Sequence, residues 1–265
     1  MGGSNNGYDH GGVTLETVRT SLIRQEDTIV FCLIERAKFP RNPTLYDETS
    51  PPLPTTLSGS LFHFIFKETE ALQSKVGRYL SAEENPFFPD DVPESLVPAA
   101  GKFEPFLHPV ADCINVNEKI WDVYLNQLLP LVAVEEGDDG NYALTAATDI
   151  HFLQALSRRI HYGKFVAEVK FREAPDDYTP AIRAKDRDAL MKLLTFEAVE
   201  EMVKKRVERK AREFSKEVKA NGSDNDDPES CKVDPSLMCR LYAEWVIPLT
   251  KLVEVEYLLR RLDQE

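Results

Sequence analysis

The sequence predicts an all-α protein, a single domain built as a bundle of long helices. Over most of the chain the apolar residues recur every three or four positions, which is the spacing of one face of an α-helix. No segment shows the strict alternation of apolar and polar residues that is typical of a half-buried strand. Because no second core is apparent, we expect one domain over residues 14–265, preceded by a disordered Gly-rich tail over residues 1–13.

Three helices are predicted in the first half of the chain. The first spans Thr14–Lys38, capped by Thr14, and a loop with five prolines follows over residues 39–58. The second helix spans Leu61–Tyr79. The third spans Asn115–Val134, and five of its side chains are expected to face inward: Ile120, Trp121, Tyr124, Leu128 and Leu131.

The stretch Asp149–Phe171 has helical apolar spacing and carries two cations, Arg159 and Lys170, eleven residues apart. Eleven residues make three helical turns and about 20°, so both side chains share one face, about 16 Å apart along the axis. Gly163 lies between them, where a side chain would fill the space. Two long cations with a gap between them could close on a small anion. A solvated basic face with an incidental glycine gives the same pattern.

The remaining part of the chain is also predicted to be helical. Residues 178–194 are typical of a short helical pair, and a long, heavily charged helix follows over Thr195–Val218. An acidic loop is expected over residues 221–230. The last helix spans Pro235–Asp263 and is expected to bend at Pro248.

Three polar side chains lie beside buried faces of these helices. Thr250 and Glu254 are one helical turn apart, just beyond Pro248. Arg19 directly follows the apolar Val18 at the edge of the first helix's buried face. From spacing alone, the ordinary interpretation of each is a surface residue.

The composition excludes several classes of function. The net charge of −13 argues against nucleic acid or an acidic membrane as a partner. No apolar run reaches the ~18 residues of a membrane span. The cysteines show no CxxC pair, which favours reduced thiols in a cytoplasmic protein: Cys32, Cys113, Cys231 and Cys239. The chain also lacks phosphate-binding glycine loops and nucleophile motifs, and we expect no cofactor and no metal.

Four blocks of the sequence resemble the eukaryotic chorismate mutases, the all-helical homodimers of fungi and plants. The blocks are SLIRQEDTIVFCLIERAKF (21–39), NPFFPDD (85–91), LSRRIHYGKFVAEVKF (156–171) and VEVEYLLRRLD (253–263). They occur in the family's order, and the resemblance covers residues 14–263. It implies a homodimer that converts chorismate to prephenate. The unextended N-terminus is similar to that of the cytosolic plant form.

The resemblance also implies an active site. The positions that match the family's site are Arg19, Arg159, Lys170, Glu200, Thr250 and Glu254. The two arginines match those that hold the substrate carboxylates, and the lysine matches one that donates to the ether oxygen and a carboxylate.

The other matched positions imply contacts at the hydroxyl and at the reacting centre. Glu200 matches the residue that takes the substrate hydroxyl, while Thr250 and Glu254 match the pair at the reacting centre. One departure lies beside Thr195, where fungal relatives have asparagine and this chain has Phe196. Any side-chain hydrogen bond at that position is lost.

The implied reaction is a unimolecular rearrangement, which needs no nucleophile, metal or proton relay and so agrees with the missing motifs. A guanidinium grips a carboxylate with two hydrogen bonds, which suits the arginines to their role. As an anion, Glu254 would repel an ether oxygen that gains negative charge, so it helps only when protonated. Burial beside a dianionic substrate raises its pKa. Activity is therefore expected to fall as the pH rises through that raised pKa.

The resemblance further predicts an enzyme without feedback control. Regulated relatives carry a Gly-Ser pair at the start of the central helix, where an aromatic amino acid binds between subunits. Here the pair is Ala143 and Leu144, whose side chains occupy the room that the effector needs. Gly77 also replaces the first of two arginines found in fungal relatives, which leaves only Arg78. Effector binding in a modified manner is the alternative.

A dimeric helical adaptor that binds phosphopeptides is the main alternative to an enzyme. It would also be acidic and cytoplasmic, with a pocket of arginine and lysine. It would not explain Gly163 between two spaced cations, nor Thr250 and Glu254 beyond a helix bend.

Overall fold

A computed structural model describes residues 13–49, 59–98, 106–133, 137–217 and 234–263. Over these residues the chain forms eleven α-helices and no β-strand, so the predicted all-α class is confirmed. Residues 1–12 of the expected tail and the whole expected loop 221–230 lie outside the described residues. No helix in the described part is long and apolar enough to cross a membrane.

The helices follow one another along the chain with short connections. In order they are α1 Leu15–Arg36, α2 Leu61–Lys75, α3 Asn117–Val123, α4 Leu129–Val132, α5 Tyr142–His161, α6 Gly163–Glu173, α7 Pro175–Arg183, α8 Arg187–Leu194, α9 Glu197–Glu217, α10 Pro235–Leu241 and α11 Ile247–Arg260. Two π-helical turns, Tyr124–Leu128 and Tyr242–Val246, join α3 to α4 and α10 to α11.

The start of α1 confirms the cap predicted at Thr14. The Thr17 amide donates to the Thr14 hydroxyl at 3.3 Å, and the Thr14 amide donates to the Thr17 hydroxyl at 2.9 Å. Such a reciprocal pair satisfies amides that the first helical turn leaves free. From this start, α1 packs along α5 and α9, and it buries Val18, Ile29 and Leu33 between them.

Two predicted helices are interrupted by single residues. The second ends at Lys75, short of Tyr79, because Gly77 adopts a left-handed conformation with φ of +87°. The predicted unbroken helix over Asp149–Phe171 is wrong at Tyr162, which separates α5 from α6. Arg159 and Lys170 therefore belong to two successive helices and not to one.

Both π-helical turns end two residues before a proline, at Pro130 and Pro248. Proline has no N–H to donate, and its ring occupies the space of a carbonyl one turn earlier. A wider turn accommodates the proline within a continuous helical path. The helix predicted over Pro235–Asp263 thus contains a π-helical turn just before Pro248.

The first π-helical turn also explains a wrong core prediction. Leu131 is exposed, although helical spacing placed it inward. One extra residue in a turn rotates every later side chain by about 100° around the helix axis. In α4 the buried residues are therefore Leu129 and Val132.

Candidate active site

A cavity of about 460 Å³ opens among α1, α9, α11 and the four successive helices α5 to α8. All six residues that match the family's site line this cavity: Arg19, Arg159, Lys170, Glu200, Thr250 and Glu254. These residues are scattered over more than two hundred positions of the chain. The fold brings all of them to one place.

Two cations on the α5–α6 pair face two polar side chains on α11. Arg159 Nη1 donates to the Thr250 hydroxyl at 3.4 Å, and Lys170 Nζ lies 3.6 Å from Glu254 Oε2. The Thr250 hydroxyl itself donates to the Val246 carbonyl at 2.6 Å, which fixes its direction. Because Thr250 and Glu254 are one turn apart, each of them meets one of the cations.

Gly163 has a different role from the one its spacing suggested. A Cβ atom at this position would lie 2.9 Å from the Thr250 carbonyl oxygen and 3.3 Å from Glu254 Cγ. The space beside Gly163 is therefore filled by α11 and is not a gap for an anion. The glycine lets α11 approach closely, and this approach brings Thr250 and Glu254 between Arg159 and Lys170.

The cavity contains buried polar atoms with no hydrogen-bond partner in the described part of the chain. Arg159 is 5% exposed and its Nε is unpartnered, and Glu254 is 6% exposed with an unpartnered Oε2. Behind Arg159 lies the ring of Tyr242, with its centroid 5.7 Å from the guanidinium carbon. An unpaired buried polar group costs about 1–3 kcal/mol. A polar ligand would recover that energy.

Burial raises the pKa of the Glu254 carboxyl, and the positive charges of Lys170 and Arg159 oppose this effect only in part. The direction agrees with the sequence prediction. Burial alone produces it here, before any substrate charge is added. The raised pKa shifts the balance toward the neutral acid, which can donate a hydrogen bond into the cavity.

Glu200 faces a lysine that the sequence analysis missed. Lys251 Nζ lies 2.5 Å from Glu200 Oε1, and both residues line the cavity. The signal for Lys251 was its position three residues before Glu254, which places the two on neighbouring positions of α11. Arg19 is the exposed member of the set, on the side of α1 that borders the cavity.

The charged side chains of the lining are equal in number, four cations and four carboxylates. Its cations are Arg19, Arg159, Lys170 and Lys251, and its carboxylates are Glu173, Asp177, Glu200 and Glu254. Protonation of Glu254 would leave one positive charge in excess, in a protein whose net charge is −13. The raised pKa of Glu254 therefore shifts the lining toward binding a small anion. Among the described residues, no three side chains of His, Cys, Asp or Glu gather as metal ligands.

Comparison with known proteins agrees with this arrangement. Residues 141–255 match the family described as chorismate mutase type II. Over 95% of its length the chain is 67% identical to Chorismate mutase 2 of Petunia hybrida, of which it covers 94%. The chain belongs to the chorismate mutase family. Membership in this enzyme family sets aside the phosphopeptide-binding adaptor.

Two further chorismate mutases are similar to this chain over most of its length. It is 51% identical to the cytosolic Chorismate mutase 2 of Zea mays, over 95% of this chain and 97% of that protein. The crystal structure of AtCM1 with tyrosine bound in its allosteric site has a TM-score of 0.84 and 49% identity, covering 96% of this chain and 99% of that one. The predicted single-domain helical fold is thus also the fold of a solved family member.

Proposed function

We propose that this chorismate mutase converts chorismate to prephenate in the cavity, by holding the substrate's two carboxylates and stabilising charge on its ether oxygen. Within the substrate, the C–O ether bond breaks as a C–C bond forms, and no bond to the protein is made. The observation that carries the proposal is the gathering of six side chains around one cavity, with the buried donor Arg159 left incompletely paired.

Arg159 and Arg19 would each hold one carboxylate, which brings the reacting carbons together and lowers the entropic cost of reaching the transition state. Lys170 and the neutral acid of Glu254 would donate to the ether oxygen as it gains negative charge. The separation of 3.6 Å between these two groups leaves them without a close mutual hydrogen bond. Both can therefore turn toward a third atom.

Glu200 would accept a hydrogen bond from the substrate hydroxyl. Its ion pair with Lys251, at 2.5 Å, holds the Glu200 side chain in one orientation. Two glutamates in one cavity would thus have opposite roles, Glu200 as an acceptor and Glu254 as a donor.

Loss of chorismate, followed spectrophotometrically, tests the proposal with two neighbouring arginines. Arg159→Ala is expected to lower kcat/KM about 10³-fold, because it removes a buried carboxylate ligand from the transition state. Arg158→Ala is the matched control. That side chain is 40% exposed and pairs with Glu84, so its loss should leave kcat/KM within about two-fold. No turnover by the parent protein, or equal losses in both variants, would contradict the proposal.

We further propose that aromatic amino acids do not regulate this enzyme, unlike AtCM1, which binds tyrosine in an allosteric site. Arg78 donates to Glu84 at 3.0 Å and to Gln154 at 2.8 Å, so its guanidinium is occupied within the chain. At Gly77 a Cβ would lie 2.8 Å from Val97 Cγ2, and φ is +87°. An arginine there would strain this backbone.

Adding tryptophan, phenylalanine or tyrosine at millimolar concentration tests the absence of regulation. No rate change is expected, and a change of several-fold would overturn the proposal. The double substitution Ala143→Gly with Leu144→Ser restores the pair found in regulated relatives. If occlusion by these side chains is the cause, the double variant should gain a response to at least one of the three amino acids.

The protein is proposed to act in the cytoplasm as a homodimer. Similarity to the cytosolic protein of Zea mays supports the location. Large apolar side chains exposed on α2 and at its C-cap support the assembly, since Leu72 is 64% and Val76 71% exposed. Sedimentation at micromolar concentration should give a dimer that Leu72→Glu dissociates. A monomeric parent protein would contradict the assembly, and a fluorescent fusion found in an organelle would contradict the location.

A further inference from the structure

Phe196 lies at the mouth of the cavity, with its aromatic ring beside Lys170. The ring centroid is 5.1 Å from Lys170 Nζ, and Phe196 lines the cavity. The residue is nevertheless 54% exposed, so burial in the core does not account for a phenylalanine at this position.

Phe196 is also a poor residue for its place in the backbone. Its carbonyl accepts from the amides of Val199 at 2.9 Å and Glu200 at 3.1 Å, so it occupies the N-cap position of α9. A phenylalanine side chain has no acceptor with which to cap a helix. The preceding Thr195 hydroxyl donates backward to the Met191 carbonyl at 2.8 Å. A residue that breaks a local rule in this way is expected at a functional position.

Lys170 needs an additional contact that fixes its position. Its four-carbon chain is flexible, and its Nζ lies 3.6 Å from Glu254 Oε2, beyond ordinary hydrogen-bond length. An ammonium within about 6 Å of an aromatic ring centroid is attracted by the negative face of the ring. Phe196 provides such a contact without competing for the hydrogen bonds of the ammonium.

We propose that Phe196 is a positioning residue for the mutase reaction: its ring holds the ammonium of Lys170 over the cavity. The inference rests on the proposed function, in which Lys170 donates to the ether oxygen. Because that donation strengthens in the transition state, loss of the ring lowers kcat more than it raises KM. If Phe196 were only an apolar cover that shields the substrate, its loss would instead mainly raise KM.

The experiment compares Phe196→Leu with Phe196→Trp. Leucine keeps an apolar side chain of similar reach without an aromatic face, and it is expected to lower kcat about five-fold. Tryptophan keeps the ring and is expected to retain the parent value. Met202→Ala is the control on the next turn of α9, exposed and outside the cavity lining, and it should not change kcat. Tm is measured for each variant to confirm that it folds.

A double-mutant cycle with Lys170→Met isolates the contact. In that background Phe196→Leu should have no further effect on kcat, since the ammonium is gone. The inference is wrong if Phe196→Leu matches the parent protein, or if it lowers kcat equally in both backgrounds. If Lys170→Met itself keeps parent activity, the proposed role of Lys170 fails, whatever the result at Phe196.

Discussion

Glu168 and Glu254 are two buried carboxylates at the contact between α6 and α11. Glu168 projects from α6 toward Tyr257 on α11 and Arg261 just after it. Glu254 projects from α11 toward Lys170 on α6. Both are glutamates on the same helix pair with little exposure to solvent, 0% and 6%, and they differ in the partners around each carboxylate.

Glu168 is fully paired. It accepts hydrogen bonds from Arg172 at 2.5 Å, from the Tyr257 hydroxyl at 2.6 Å and from Arg261 at 2.6 and 3.0 Å. Burial by itself would raise its pKa, but these hydrogen bonds outweigh burial, and the pKa of the Glu168 carboxyl is lowered. Glu168 is therefore a permanent anion that ties α6 to α11.

Glu254 has fewer partners: its Oε2 makes no hydrogen bond within the described part of the chain. Burial raises its pKa, and the lysine at 3.6 Å together with Arg159 offsets only part of that rise. The comparison teaches that the donors around a buried carboxylate separate a structural one from a candidate for chemistry. A buried acid left short of donors in a cavity is a candidate for chemistry.

The largest expected difference between Glu168 and Glu254 is in what each contributes to the stability of the protein. Glu168→Gln removes the negative charge that accepts four hydrogen bonds, and it should lower the free energy of unfolding by about 3 kcal/mol. Glu254→Gln replaces a carboxyl whose pKa is raised and whose Oε2 has no hydrogen bond to lose within the described residues, so it should change the stability by less than about 1 kcal/mol. Urea denaturation of both variants at neutral pH measures the difference. Equal losses would mean that the two sites do not differ as described.

A second, smaller effect on stability and activity is expected where α11 approaches α6 closely at Gly163 and so places Glu254 in the cavity. Gly163→Ala puts a Cβ 2.9 Å from the Thr250 carbonyl oxygen, so α11 must move away. We expect a loss of about 2 kcal/mol in stability and about ten-fold in kcat/KM.

Gly137→Ala is the matched control for this substitution. The nearest atom to a Cβ at Gly137 is Pro40 Cβ at 3.9 Å, an ordinary contact. The control should keep both stability and activity. An active, stable Gly163→Ala variant would show that the spacing of α6 and α11 does not matter for the site.

Much of this arrangement could be predicted from the sequence because periodicity and matched motifs are local signals. The spacing of apolar residues is enough to give the helical class, and the cap at Thr14 follows from its hydroxyl. Motif matches bring together Arg159 and Lys170, although spacing alone left both as possible surface residues. These predictions needed no knowledge of which helices touch.

The features that could not be predicted from the sequence depend on contacts between helices that are far apart along the chain. Gly163 looked like a gap because nothing in its own helix shows that α11 fills the space. The π-helical turns change the facing of later residues, which is why Leu131 was placed inward. The role of Lys251 depends on its ion pair with Glu200, and the role of Phe196 depends on the position of its ring beside Lys170. Neither contact can be predicted from the spacing of residues along the chain.

The smallest expected effect is on the pH dependence of kcat. Comparing the parent protein with Glu254→Gln and Glu168→Gln is also the most direct test of the contrast between the two carboxylates. The parent's rate should be highest at mildly acidic pH and fall as the pH rises through the raised pKa of Glu254, since the anion cannot donate. Glutamine donates at every pH, so Glu254→Gln should lose this alkaline decline. Glu168→Gln, studied below its Tm, should keep it. An alkaline decline that persists unchanged in Glu254→Gln would contradict the account.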